Sequence, residues 1–221
     1  MLQSKNRIVY TVAVLLAIVA CVLGLYVAQQ MHHTKQPIDK SLFHGTLLDT
    51  PREVKAFELT GTDHQPFNNN SLNHQWTMLF FGFTHCGSMC PTTMAELGKT
   101  YRLLEQKGAQ ILPHVVMISL DPERDDLERL DHYVHAFDKH FYGARGEDQS
   151  IHAMTRDMGI AYAKITRSGS NDSSQEDDIE HTGAVMLFNP QGHLVAFFTN
   201  PHHAEDIASD FLLLIKGNTT T

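Results

Sequence analysis

Residues 76–91 read WTMLFFGFTHCGSMCP and carry the most informative pattern of the chain. The apolar run at residues 76–83 is too short for a buried helix and is typical of a central strand in a covered sheet. A proline follows at a position that suits the first turn of a helix, and apolar residues then recur at three- and four-residue steps. This pattern predicts a helix over residues 91–107, with two cysteines between the strand and the helix.

The segments on either side alternate between strand and helix patterns. The predicted strands are residues 55–59, 111–120, 161–166, 184–188 and 194–198, and the predicted helices are residues 125–140, 150–158 and 204–216. The polar segment 168–178 has no apolar residue and is predicted to be a mobile loop. The order of elements predicts an α/β fold in which helices flank a mixed sheet.

An uncharged apolar segment, residues 8–27, precedes this domain. A helix of about 20 residues spans the hydrocarbon core of a bilayer, so the segment is predicted to be a transmembrane anchor. Lys5 and Arg7 lie before it and the next basic residue is Lys35, which favours a cytoplasmic N-terminus and an exported domain. We therefore expect a protein of the bacterial inner membrane whose soluble domain lies in the periplasm.

Two alternatives for the N-terminal segment remain open. The first is a cleaved signal peptide, but the apolar region of a typical signal peptide, about 7–15 residues, is shorter than this segment. The second is a lipoprotein, because Cys21 ends a box that resembles a lipoprotein cleavage site, although the apolar run continues beyond it. Both alternatives place the soluble domain on the same side of the membrane. The predicted division of the chain is an anchor at residues 1–27, a tether at 28–51, a folded domain at 52–217 and a tail at 218–221.

The composition restricts the classes of function. The 221 residues include 17 Lys and Arg against 25 Asp and Glu, a formal net charge of −8, which argues against a nucleic-acid-binding protein. Three cysteines are too few for a disulfide framework, whereas 15 histidines are numerous.

The chemistry of the chain concentrates on Cys86 and Cys90. In a roughly helical turn their spacing of four places both sulfurs on one side, and the nearby helix N-terminus lowers the pKa of a thiol. A structural disulfide across so short a loop would contribute only roughly 2 kcal/mol, so a metal site or a thiol oxidoreductase is favoured. A metal site needs a third ligand, and two cysteines with one histidine suit copper or zinc. The pair alone leaves open which histidine it would be.

Three blocks of sequence resemble the Sco (SenC) family, which are membrane-tethered copper chaperones for cytochrome c oxidase assembly. They are Thr84-His85-Cys86 with Cys90-Pro91, Ser119 with Asp121-Pro122-Glu123-Arg124-Asp125, and His181-Thr182 before a predicted strand. The resemblance runs from about residue 54 to residue 215 and implies a thioredoxin-like fold. It also implies that Cys86, Cys90 and His181 are ligands of Cu(I) or Cu(II) and that Asp121 lies near the site. One departure is Gly87, where many members of the family have proline.

The resemblance implies a protein that accepts copper from a donor chaperone and delivers it to, or prepares, the binuclear copper site of an oxidase subunit, without catalytic turnover. The alternative is a thiol–disulfide oxidoreductase in which Cys86 and Cys90 form a redox-active disulfide. No proline occurs between Pro122 and Pro190, and His181 precedes the strand where such oxidoreductases have proline, which favours metal binding.

Several other residues are predicted to have structural or solvent-exposed roles rather than functional ones. His85 is predicted to be a loop residue and Met89 a packing residue, whereas the pairs His32-His33 and His202-His203 are predicted to be exposed. The acidic residues Glu176, Asp177, Asp178 and Glu180 are predicted to lie in a solvated loop, whose alternative role is a docking patch for a basic partner.

Overall fold

Strand β4 (Thr77–Gly82) is buried along its whole length, as the apolar run predicts, and lies within an eight-stranded mixed sheet. It pairs in parallel with β5 (His114–Ser119) and antiparallel with β9 (Val185–Phe188). The other strands of this sheet are β1 (Thr46–Arg52), β2 (Glu58–Gly61), β3 (Pro66–Asn68), β6 (Tyr142–Arg145) and β10 (Leu194–Phe198). The strand order is β1-β10-β9-β4-β5-β6-β2-β3.

A computed structural model describes residues 13–25, 40–165 and 178–218. The chain divides into one unit of Met1–Ile38 with Leu214–Thr221 and a second unit of Asp39–Leu213. In the first unit, residues 13–25 form helix α1. None of the described helices is both long and apolar enough to cross a membrane. The predicted anchor extends past the described residues at both ends.

The second unit carries the predicted helices and a small additional sheet. Strands β7 (Tyr162–Ile165) and β8 (Asp178–His181) pair only with each other in the part of the chain that is described. The helices are α2 (Met89–Gln106), α3 (Leu127–His135), α4 (Asp148–Met158) and α5 (Ala204–Asn218), the last of which continues past Leu213 into the first unit. The predicted α/β fold with a mixed sheet is thus confirmed.

The tether prediction is wrong for residues 46–51, because they belong to β1. This strand pairs antiparallel with β10 at the edge of the sheet and is exposed over most of its length. Its sequence lacks the apolar alternation of a half-buried strand, and Pro51 is a residue that sheets tolerate only at edges. Of the rest of the predicted tether, residues 28–39 lie outside the described residues, and Lys40–Leu42 form a short 3₁₀ helix.

Two further differences concern short elements. Strand β6 was not predicted, because four residues between two helices give too short a pattern. Helix α3 ends at His135, five residues before the predicted end, where Ala136 is the C-cap. The chain then turns at Asp138, whose carboxylate accepts a hydrogen bond from the backbone N–H of His140, and it reaches β6 at Tyr142.

Candidate metal centre

The two cysteines lie where β4 gives way to α2. The backbone N–H of Cys86 donates to the carbonyl of Phe83 at 3.3 Å, and that of Cys90 donates to the Cys86 sulfur at 3.3 Å. Cys90 is fully buried, Cys86 is half-buried, and both are free thiols. A side chain at Gly82 would begin 3.1 Å from the Cys90 sulfur, so the glycine lets the strand end pass close beneath the thiol.

The third member of the site arrives from the additional sheet. His181 ends β8, opposite Tyr162 of β7, and its Nε2 lies 3.3 Å from the Cys90 sulfur. Its Nδ1 lies 3.2 Å from the Thr182 carbonyl oxygen, which can only accept. Nδ1 therefore carries the proton, and the lone pair of Nε2 faces the sulfurs, as in a histidine that binds a metal.

Cys86, Cys90 and His181 form one compact group. Their sulfur and nitrogen atoms all lie within 4.8 Å of one another, and no other group of three such side chains is found among the described residues. Two sulfurs and one imidazole nitrogen are a ligand set for a soft or borderline ion, with a position open for a fourth ligand. The structure thus brings together the three residues that the sequence singled out.

The two thiols differ strongly in acidity. The hydrogen bond from the Cys90 thiol lowers the pKa of Cys86 to about 4, with further help from the backbone N–H groups of Cys90 and Ser88. The same hydrogen bond, together with burial, raises the pKa of Cys90. At neutral pH the apo site therefore contains an accessible Cys86 thiolate and a buried Cys90 thiol.

Asp125 anchors the turn that carries the cysteines. Its buried carboxylate accepts hydrogen bonds from the Thr84 backbone N–H at 3.0 Å, the Thr84 hydroxyl at 2.5 Å and the Ser119 hydroxyl at 2.7 Å. The Asp121 carboxylate instead pairs with Arg124 and is not a member of the compact group. Sequence reasoning chose Asp121 and passed over Asp125, although both lie in the same motif.

The remaining candidates have other surroundings. His85 lies next to the site with Nε2 3.0 Å from an Arg129 guanidinium nitrogen, and Met89 packs against Gly183. The predicted exposure of the pair at 202–203 is wrong for His202, which is buried, and right for His203. Glu180 is exposed. The pair at 32–33, the acidic residues 176–177 and most of the predicted mobile loop lie outside the described residues.

This arrangement of fold and site matches a known family. The SCO1/SenC family model matches residues 46–216. The chain belongs to the SCO1/SenC family. The resemblance that the three sequence blocks indicated is thereby confirmed.

Individual relatives agree with the family assignment. The mouse protein named SCO2 homolog, mitochondrial, is 30% identical over 151 residues, which are 68% of this chain and 58% of that protein. The solution structure of apo Sco1 from Thermus thermophilus is 30% identical, with a TM-score of 0.67 over 78% of this chain and 96% of that one. The crystal structure of Arabidopsis thaliana ScoI with copper bound is 25% identical, with a TM-score of 0.66 over 76% and 99% of the two chains. The thioredoxin-like fold that the resemblance implied therefore holds for this Sco protein.

Proposed function

We propose that this Sco protein binds one copper ion through Cys86, Cys90 and His181 and delivers it during assembly of cytochrome c oxidase. The observation that carries the proposal is the convergence of two sulfurs and one imidazole nitrogen within 4.8 Å. A copper-bound structure of a related Sco protein supports the choice of metal. The recipient is the binuclear copper site of an oxidase subunit, and a donor chaperone supplies the ion.

The exposure of the ligands suits transfer rather than permanent storage. Cys90 is buried, but Cys86 and His181 are partly exposed, so a partner protein has access to the ion from that side. Thiolates favour copper over hard cations, and an open coordination position admits an incoming ligand from the recipient. In this function the copper ion is transferred to the recipient and does not take part in a catalysed reaction.

A thiol–disulfide oxidoreductase is the alternative, and the acidity of Cys86 is the observation that favours it. A solvent-accessible thiolate beside a second, buried thiol is the arrangement needed to attack a disulfide and then resolve the mixed intermediate. Copper binding also accounts for the position of His181, because thiol–disulfide exchange does not need an imidazole lone pair 3.3 Å from the Cys90 sulfur.

We further propose that residues 8–27 anchor the protein in the bacterial inner membrane and that the copper site lies in the periplasm. The support is the length and apolar character of this segment and the basic residues that precede it. Without protease, the protein should be recovered in the membrane fraction. Protease added to intact spheroplasts should digest the domain. Recovery of an intact domain in the soluble fraction of broken cells would contradict this placement.

The transfer experiment uses the full-length protein in detergent, loaded with Cu(I) and mixed with an apo copper-site domain of an oxidase subunit. The wild-type protein should transfer its copper, and His181→Ala should bind copper more weakly, through the two sulfurs alone, and transfer less of it. His85→Ala is the matched control, because its imidazole lies beside the site but outside the ligand group, and it should behave as wild type. Reduction of an oxidised recipient domain without copper transfer would favour the oxidoreductase instead.

A further inference from the structure

His202 is a buried histidine that the proposed copper site does not use. It lies just before α5, and only 9% of its surface is exposed, whereas the adjacent His203 is exposed. Its Nδ1 is buried and has no hydrogen-bond partner among the described residues. Burial lowers the pKa of His202, so the imidazole is neutral. Burying a ring nitrogen without a hydrogen-bond partner costs free energy, so the hydrogen bond made by the other ring nitrogen, Nε2, becomes important.

That nitrogen bonds to the segment that follows the copper-binding histidine. Nε2 lies 2.7 Å from the carbonyl oxygen of Gly183, two residues after His181. Because a carbonyl oxygen only accepts, the Nε2–H of His202 donates this bond. The bond is part-buried, and it links the backbone after His181 to the residues before α5.

Gly183 is also confined from other directions. A Cβ at this position would lie 2.3 Å from the Asn200 amide nitrogen and 2.6 Å from the Met89 sulfur. On the opposite side, the N–H of Thr182 donates to the Ala161 carbonyl at 2.9 Å. The backbone after His181 is thus held between β7 and the residues that precede α5.

The contacts of His202 lead back to the helix that carries Cys90. The carboxylate of Glu96, six residues along α2 from Cys90, accepts a hydrogen bond from the backbone N–H of Ala204 at 3.0 Å. The start of α5 is therefore tied to the cysteine helix through Glu96 and to the histidine segment through His202. The hydrogen bonds of Glu96 and His202 therefore link the helix that carries Cys90 to the segment after His181 without a bound metal.

We propose that His202 is a positioning residue, which holds the His181 imidazole over the cysteine sulfurs through its hydrogen bond to the Gly183 carbonyl. This inference rests on the proposed function for its consequence: the bond slows the departure of copper by keeping the nitrogen ligand in place. Loss of a hydrogen bond made directly to a metal-binding side chain typically weakens metal binding by about 10- to 100-fold, and because His202 acts through the backbone we expect the lower end of that range.

The test compares three variants of the full-length protein in detergent. His202→Leu removes the donor and retains an apolar side chain, His202→Gln retains an N–H donor, and His203→Leu is the exposed neighbouring control. Two quantities are measured, namely the charge-transfer spectrum of the Cu(II) form and the rate at which a chelator removes Cu(I).

We expect His202→Leu to alter the spectrum and to release Cu(I) at least about tenfold faster, with His202→Gln much closer to wild type and His203→Leu unchanged. Wild-type spectrum and release rate in a folded His202→Leu protein would overturn the proposal, as would equal changes in His203→Leu. If His202→Leu does not fold, His202→Phe takes its place, because it keeps a planar ring without a donor.

A measurement without copper separates this proposal from the function on which it rests. In NMR spectra of the apo protein, His202→Leu should shift the ring signals of His181, and His203→Leu should not. If the wild type takes up no copper, the proposed function fails, and these ring signals alone decide whether His202 positions His181.

Discussion

The two halves of the proposed copper site are built on parts of the molecule that differ in how firmly they are held. The cysteines follow β4, which is fully buried and paired with strands on both sides. His181 ends β8, whose described pairing is with β7 alone in a separate two-stranded sheet. Local stability follows burial and pairing, so the cysteine half should be rigid and the histidine half adjustable.

This difference suits a protein that must both hold and release an ion. A ligand set that is rigid throughout would bind tightly but exchange slowly, whereas one adjustable ligand provides a route for loading and release. We expect His181 to be that adjustable ligand.

The largest expected effect is on the acidity of Cys86. With its pKa lowered from 9.0 to about 4, the folded apo protein should contain one thiolate at pH 7. The contribution of this group to the free energy of unfolding is complete above the unfolded pKa and is lost as the pH falls towards 4. The ultraviolet absorbance of the thiolate, followed from neutral to acidic pH, measures this directly.

Two variants identify the origin of that signal. Cys86→Ser should abolish it, and Cys90→Ala should move it to higher pH, because the donor that stabilises the thiolate is removed. An unchanged titration in Cys90→Ala would contradict the hydrogen bond between the thiols as the cause.

Removal of the Asp125 carboxylate should destabilise the rigid half. Asp125→Ala leaves the Thr84 N–H and the Ser119 hydroxyl without their acceptor, and buried unpaired groups cost roughly 1–3 kcal/mol each. We expect the free energy of unfolding in urea to fall by about 3 kcal/mol. Asp126→Ala is the matched control, because it removes the N-cap of α3 and should cost about 1 kcal/mol. Equal losses in the two variants would show that Asp125 has no special role.

A side chain at Gly183 should disturb the adjustable half without unfolding the domain. The new Cβ of Gly183→Ala would overlap the Asn200 amide and the Met89 sulfur, so the backbone after His181 must move. We expect copper affinity to fall roughly tenfold while the urea midpoint changes little. Competition with a chelator of known affinity measures the first quantity. A large loss of stability at unchanged affinity would mean that the histidine half is not the adjustable one.

The same change at Gly87 should have the smallest effect. A Cβ there would meet nothing within 4 Å, so Gly87→Ala has room between the two cysteines. Reduced freedom of the unfolded chain should stabilise the protein by about 0.4–1 kcal/mol, with copper affinity as in wild type. A marked change in affinity would show that the glycine itself sets the geometry of the thiols.

The rigid half could be predicted from the sequence and the adjustable half only in part. The apolar run before Cys86 predicts β4, because a buried central strand is a short run of apolar residues. The helix after the cysteines is predicted in the same way, from apolar residues at three- and four-residue steps. His181 was reached through resemblance, since nothing local to it indicates that the chain returns over the cysteines. Burial of His202 and the choice of Asp125 over Asp121 depend on contacts between distant segments, which no local pattern records.

X-ray absorption at the copper edge tests the central claim most directly. The full-length protein in detergent, loaded with one Cu(I), should show two sulfur scatterers and one nitrogen scatterer, and His181→Ala should lose the nitrogen while keeping both sulfurs. The same scatterers in both proteins would contradict a site made of Cys86, Cys90 and His181.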